Sequence, residues 1–562
     1  MDAAVEAARL RAQQAGYWLC LGLLVVAKFV VVSDLSVQIN YAPADDSLYV
    51  LRAYHLLNGQ GFGAYDSNIL VKYPGLSFWL AGMRLLGIPF LLSVQAVYVG
   101  AGLYLLEALR RGGASRIVLV VSFALYLFNP ITLGYEWIRV IREPLSTGLT
   151  VALFAAMGHI LLRRQEGKAG LVHVVVLSVL FAFSLFLREE DRLLWGLLGL
   201  FCLALIWQFR QGPGVRKGGW VLIAATVLLP AVVAKTYEFG LRGYVEQKYG
   251  MPLIHEFGEG EYPRLLATIR SIRSAKENRM VMVTQEALEK LRTEAPSFRV
   301  VIERLPRPGP GTYSCHFHGV CSEWSNGWMP FWIKDEASRS GLAPTLPAAQ
   351  GYFRRVREEI EAACAAGRMQ CESKGSGMVP PMELRWTRAY LVEGLRLLKW
   401  SLAPNIGRVD SPPVVYDVPL ELGRIYHVVT MAEHYDTQLQ SGFGASDAPR
   451  RYASPFSGWR DALVAPYRAL TSLLIVVALA VLLLRLWVPD ALPPGPLAML
   501  AMLFGVYTLA RLAVLSYVAV YMGQFSPRMV FSTNALAVVL ALPFLLDTWH
   551  SFRARRRHGV GA

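Results

Sequence analysis

The 562-residue sequence predicts an α-helical polytopic membrane protein with about ten transmembrane helices. A mixed α/β or mainly helical extracytoplasmic domain is expected between spans 7 and 8. Three observations carry this reading. Apolar residues make up 54% of the chain and charged residues 17%, with a mean hydropathy of +0.37, too apolar for an ordinary soluble surface. Apolar runs close to the roughly 20 residues that a helix needs to cross a bilayer recur along the chain. The basic residues between those runs fall on one side of the membrane if the runs alternate.

The first run, 17–33, holds a single charge, Lys28, on a stem long enough to reach an interface. It reads as a retained helix, because no small-residue cleavage site follows Ser33. Runs 85–106, 117–135, 144–162, 169–187, 193–209 and 218–234 are uncharged and supply spans 2 to 7. After a long hydrophilic stretch, 463–484, 495–520 and 529–546 supply spans 8 to 10. The implied division is 1–236 for an N-terminal membrane module, 237–461 for an outer domain, and 462–562 for a C-terminal membrane segment with a basic tail.

Orientation follows from the short loops. Arg110, Arg111 and Arg116, then Arg163, Arg164 and Lys168, then Arg210, Arg216 and Lys217 share a side with Arg9, Arg11 and the tail residues Arg553, Arg555, Arg556 and Arg557. That side is cytoplasmic in an inner (plasma) membrane, so both termini are inside and segments 34–74 and 235–461 face the periplasm. The net charge of +15 is then chiefly a topology signal, and nucleic acid is not an expected partner.

Cys20 and Cys202 fall within spans, whereas Cys315, Cys321, Cys364 and Cys371 fall in the outer segment, where disulfides form. Cys315–Cys321 and Cys364–Cys371 are the simplest of three pairings. Zinc on Cys315, His316, His318 and Cys321 is the rival reading, and its spacing does not match the usual finger patterns. Residues 352–364 read as an amphipathic helix with Phe353, Val356, Ile360 and Ala363 on one side, and 383–402 as another helix. Loops are expected at 306–311 and 375–381, and 410–460 gives no assignable pattern.

Charge beside a membrane span asks for a reason. Asp45-Asp46-Ser47 opens a helical stretch, 48–57, that ends in the turn 58–63. Helix capping is the plain explanation of that acidic pair, and a base or metal ligand at the membrane surface is the other. Lys72-Tyr73-Pro74 closes the same loop. Arg139, Arg142 and Glu143 precede span 4, Arg188-Glu189-Glu190-Asp191-Arg192 fills the turn between spans 5 and 6, and Pro527-Arg528 precedes span 10. All lie on the outer side, against the positive-inside bias. Pairing among themselves, Arg142 with Glu143 and Arg188 with Glu190, is one explanation; an anionic ligand such as a lipid phosphate is the other, since guanidinium matches phosphate in bidentate geometry.

The order Asp45-Asp46-Ser47-Leu48-Tyr49, Leu57-Asn58-Gly59-Gln60-Gly61-Phe62 and Lys72-Tyr73-Pro74 resembles the first extracytoplasmic loop of GT-C glycosyltransferases. Arg142-Glu143-Pro144, Arg188-Glu189-Glu190 and Pro527-Arg528 are also similar to that superfamily, over about 17–210 and more loosely 500–547. The resemblance implies a membrane glycosyltransferase that moves a sugar from a polyprenyl-phosphate donor to an acceptor hydroxyl on a glycan, lipid or protein. Asp45 then matches the general base, with Asp46 as its partner. Lys72, Tyr73, Arg142, Glu143, Arg188, Glu190 and Arg528 fall at the lipid-phosphate site. The acidic pair replaces the commoner Asp-Glu, which leaves open whether a divalent cation, Mg or Mn, sits on Asp45 and Asp46; no other cofactor is implied. Two other classes compete. A secondary transporter or lipid flippase would use charges within spans, of which Arg511 and His159 are the examples. A non-catalytic membrane scaffold would leave Asp45, Lys72 and Arg188 pointing away from one another.

Overall fold

The computed structural model describes residues 2–39, 42–162, 167–210, 217–273, 278–310, 312, 314–315, 319–372, 380–403, 419–432, 457–487, 495–523 and 526–558. The chain runs through helices α1 (Asp2–Val32), α2 (Asp46–Leu57), α3 (Gly75–Leu85), α4 (Phe90–Arg111), α5 (Arg116–Leu127), α6 (Tyr135–Ile138), α7 (Arg142–Leu162), α8 (Gly167–Leu185), α9 (Leu194–Arg210) and α10 (Lys217–Tyr249). The inserted region follows with α11 (Glu261–Ser271), α12 (Gln285–Glu294), α13 (Arg299–Arg304), α14 (Met329–Arg339), α15 (Leu346–Ala365), α16 (Thr387–Leu402) and α17 (Leu420–Thr430). The chain then returns through α18 (Ser457–Trp487), α19 (Pro496–Met522) and α20 (Phe531–His558).

Among the described residues, eight helices are long and apolar enough to cross a membrane, and every expected span has an apolar helix. The protein is therefore a helical polytopic membrane protein. Two of the ten expected spans are short. The apolar part of α8, Gly170–Leu185, falls just under the length a span needs, and α5, with 12 residues, rises only about 18 Å. Pro130 is the physical reason for α5. It cannot continue the helix and pushes its predecessor out of the helical region, so Asn129 instead caps a 3-10 turn, Pro130–Thr132, accepting from the Ile131 amide at 3.2 Å. The rest of the expected span 3 becomes this turn and α6. Lys28 also departs from expectation: it is fully buried and donates to Thr132 Oγ1 at 2.5 Å rather than reaching an interface.

Helix α7 is the axis of the bundle, buried on nearly every side against α4, α8, α19 and α20. Small residues let its neighbours come close. A Cβ on Gly148 would stand 2.8 Å from Val97 Cγ1 on α4, inside any real contact distance. The polar start of α7, Arg142-Glu143, is thereby fixed at the centre of one end of the bundle. Helix α10 continues unbroken for 33 residues, roughly 50 Å, and carries the chain directly into the domain between α10 and α18.

That domain is mainly helical, with one antiparallel ribbon, β1 (Val281–Val283) against β2 (Trp324–Ser325). Phe353, Val356, Ile360 and Ala363 of α15 are buried in its core, as the apolar spacing predicts. Cys315–Cys321 and Cys364–Cys371 are disulfides, which removes both zinc thiolates of the rival reading. His316, His318 and most of 375–381 lie outside the described residues. The unassigned 410–460 contains α17, packed on α2 and α3. Helix α16 runs beside α19, and its end reaches α20, where Asn534 Nδ2 donates to the Ser401 carbonyl at 2.8 Å.

Candidate active site

The site forms where α2, α6, α7, the 188–193 turn and the 526–530 turn meet. Asp45 occupies the N-cap position of α2, yet its side chain makes no capping bond. It turns instead to Lys72 Nζ, which donates to Oδ1 at 2.8 Å, and to Arg528 Nη2, which donates to Oδ2 at 3.1 Å. The capping explanation therefore fails for Asp45. Asp46 faces the other way, fully buried, and accepts both arms of Arg139, Nε at 3.0 Å and Nη2 at 2.6 Å. Arg139 also pairs with Glu136 at 2.9 Å and stands 3.9 Å from Asp45.

Lys72 is held in place from behind. Arg52 of α2 is fully buried and donates to the Lys72 carbonyl at 3.0 Å and to the Ile69 carbonyl. At the other side of Pro74, the Gly75 amide donates to the Phe186 carbonyl at 3.1 Å, and a Cβ at Gly75 would meet that oxygen at 2.6 Å. The Lys-Tyr-Pro segment is thus pinned between α2 and the end of α8. Tyr73 packs on Phe186 and His255, its hydroxyl accepts from Arg192 at 2.8 Å, and its amide donates to Glu189 at 3.3 Å.

The remaining charges complete one network. Arg142 pairs with Glu189 at 2.5 Å, not with its neighbour Glu143. Glu143 faces Arg528 at 3.5 Å and Arg188 at 3.8 Å. Arg188 pairs closely with Glu190, as the sequence predicts. Arg528 also reaches Glu136 at 3.2 Å, and Ser526 Oγ donates to the same carboxylate at 2.7 Å. Beneath them Arg511 of α19 meets Asp191 at 3.2 Å and the Tyr507 hydroxyl at 3.1 Å. His159 stacks on Tyr104 and His173, so neither charge within a span marks a separate path.

All nine residues expected at the site, Asp45, Asp46, Lys72, Tyr73, Arg142, Glu143, Arg188, Glu190 and Arg528, therefore converge, the opposite of what a scaffold requires. The site also holds Glu136, Arg52, Arg511 and His255, which sequence reasoning left out. Pro130 was the available signal for Glu136, since it ends span 3 early. Arg511 stood out as a charge within a span but was set against a transport path rather than this site, and nothing local marks Arg52 or His255.

Burial divides the carboxyl groups. Desolvation alone would raise Asp45, but Lys72, Arg528 and Arg139 overcome it and hold the carboxyl well below the usual range. For Asp46 burial wins over the pull of Arg139, and its carboxyl is pushed up to about 6. Mg takes about six oxygen ligands, whereas both carboxylates are engaged by Lys72, Arg139 and Arg528, and among the described residues no three acidic, His or Cys side chains are grouped to hold an ion. Beside the network, a cavity of 530 Å³ opens between the ends of α8, α9 and α10; Phe186, Trp195 and Ala234 line it together with Tyr73 and the charged Arg192, Lys235, Glu238, Arg242 and Glu259.

Fold and site together define a polytopic helical membrane protein with a charged centre at one end of its bundle. No family model matches the chain, and no curated protein matches it. Among solved structures the chain is similar to ArnT from Cupriavidus metallidurans in the apo state, at 13% identity over 90% of this chain and 78% of that one, with a TM-score of 0.33. It is also similar to ArnT from the same organism bound to undecaprenyl phosphate, at 12% identity over 89% and 77%, with a TM-score of 0.30.

Proposed function

We propose that the protein is a GT-C-type glycosyltransferase that transfers a sugar from a polyprenyl-phosphate donor to an acceptor hydroxyl at the periplasmic face of the membrane. The observation that carries this reading is the meeting of Asp45 and Lys72, from the two ends of one loop, with Arg528, 483 residues from Asp45, on one partly open surface. Asp45 is one-fifth exposed, and so within reach of an acceptor. Asp46 is fully enclosed, so it acts through Arg139.

In the reaction the acceptor oxygen attacks the anomeric carbon while the bond from that carbon to the phosphate oxygen breaks. The acceptor proton passes to Asp45, and the polyprenyl phosphate leaves with the electron pair as an anion. Such a leaving group needs positive charge rather than a proton, and Lys72 and Arg528 supply it. They are the same cations that hold Asp45 down. As they turn to the phosphate, Asp45 loses its partners and becomes the stronger base at the moment it is needed.

The test is turnover of polyprenyl-phosphate sugars by the purified protein, read by product mass. Asp45→Asn is expected to lower turnover by about 10²- to 10⁴-fold with an unchanged melting temperature. A variant that keeps its turnover removes Asp45 as the base. Chelation with EDTA is expected to leave turnover unchanged; loss restored by Mg or Mn would put a metal back into the site.

A further inference from the structure

A second polar cleft lies away from the charged centre, where α11, β1 and the turn before α16 face the outer end of α19. It encloses 80 Å³, room for roughly five to eight water positions and so for one charged or sugar-sized group. Its wall carries three guanidinium groups, Arg270, Arg279 and Arg385, against one carboxylate, Glu383. Glu383 pairs closely with Arg385. Asn326 fixes the other two, taking Arg270 Nε on its carbonyl at 3.3 Å and donating Nδ2 to the Arg279 carbonyl at 2.8 Å. Arg279 and Arg385 are both held at the Trp386 ring, 5.5 and 5.2 Å from its centroid.

Two donors in this wall, Arg279 Nε and Trp386 Nε1, are buried and have no hydrogen-bond partner among the described residues. Leaving a buried donor unsatisfied is costly, so the wall lacks a hydrogen-bond acceptor, and its excess of cations favours a negatively charged one. Tyr521, which also lines the cleft, stands ten residues along α19 from Arg511 of the charged centre, about 15 Å. That is the length of two or three linked sugars.

From this we infer that the cleft is a subsite for an anionic sugar, bearing a carboxylate or a phosphate, in the acceptor whose hydroxyl is presented to Asp45. The inference rests on the glycosyltransferase reading for its purpose, but not for its test. Binding of glucuronate, glucose 6-phosphate, glucose and inorganic phosphate to the full-length protein is measured by ligand-observed NMR without any donor. At least one of the two anionic sugars is expected to bind about tenfold more tightly than both glucose and inorganic phosphate, a difference typical of charge-assisted bonds. Arg279→Gln is expected to remove that preference. Trp386→Phe keeps an aromatic face, removes the unsatisfied donor, and is expected to weaken the anionic sugar several-fold; it carries the test if Arg279→Gln fails to fold. Equal binding of charged and neutral sugars, inorganic phosphate binding as tightly as the sugars, or an unchanged preference in a folded variant overturns the inference. An Asp45→Asn protein that has lost turnover is expected to bind the anionic sugar as the wild type does, so a failure of the cleft and a failure of the base are told apart.

Discussion

The charged centre has two halves built from the same residue types. In the lower half Arg511, Asp191, Arg188 and Glu143 have side chains no more than 4% exposed. In the upper half Lys72, Asp45, Arg139, Glu136 and Arg528 are 12% to 20% exposed. Both halves pair their charges, but pairing means different things in the two places. A deeply buried pair cannot trade a partner for water, so removing one member strands the other. A pair at the open surface can exchange its partner for a substrate at much lower cost. The lower half thus builds the site, and the upper half is free to work.

The sharpest way to break this contrast is in the lower half. Arg511→Ala leaves Asp191 of the turn 188–193 buried without its partner, and is expected to cost about 3–5 kcal/mol of stability, seen as a large fall in melting temperature. Replacing both partners, Arg511→Met with Asp191→Asn, is expected to recover most of that loss. If the single and double variants melt alike, the pair is not a buried structural bond.

Next in size is the upper half. Lys72→Gln is expected to weaken the lipid-phosphate donor by about 10- to 100-fold, the loss of one charge-assisted contact of about 1.5–3 kcal/mol. Its melting temperature should stay close to wild type, because Asp45 keeps Arg528. A donor KM that does not move, with a large fall in stability, would place Lys72 in the structural half instead.

The sequence made the membrane spans and the members of the site legible, since apolar length and stray outer charges are local properties. Partner choice was not local. Arg142 and Glu143 are adjacent on α7, about 100° apart around the helix, so they diverge: Arg142 goes to Glu189 and Glu143 toward Arg188 and Arg528. Arg188 and Glu190 do pair, because the chain there is a turn, where residues two apart can meet. The break after α5 was written in Asn129-Pro130, but apolar counting passed over it. Arg511 and His255 come from segments remote from the first loop, and only the folded bundle brings them to it.

The smallest expected effect is also the one that joins the two halves, through Asp46. Its carboxyl, pushed up to about 6 by burial, is ionised at neutral pH and protonated below. Between about 4 and 6 the folded chain then binds a proton that the unfolded chain does not, so this group makes stability rise as pH falls through that window, by on the order of 3 kcal/mol at most. Activity should move the opposite way. Once Asp46 is neutral, the charge of Arg139 is shared only with Glu136 and Asp45, which stands 3.9 Å from it. Asp45 is held down harder, becomes a weaker base, and kcat/KM falls below about pH 6 while the melting temperature does not. Asp46→Asn is expected to flatten both limbs, at a lower plateau of activity. An acid limb that persists in Asp46→Asn would assign it to another group, and a melting temperature that falls with activity in the wild type would mean that Asp46 is a structural charge, with no separate part in setting the base.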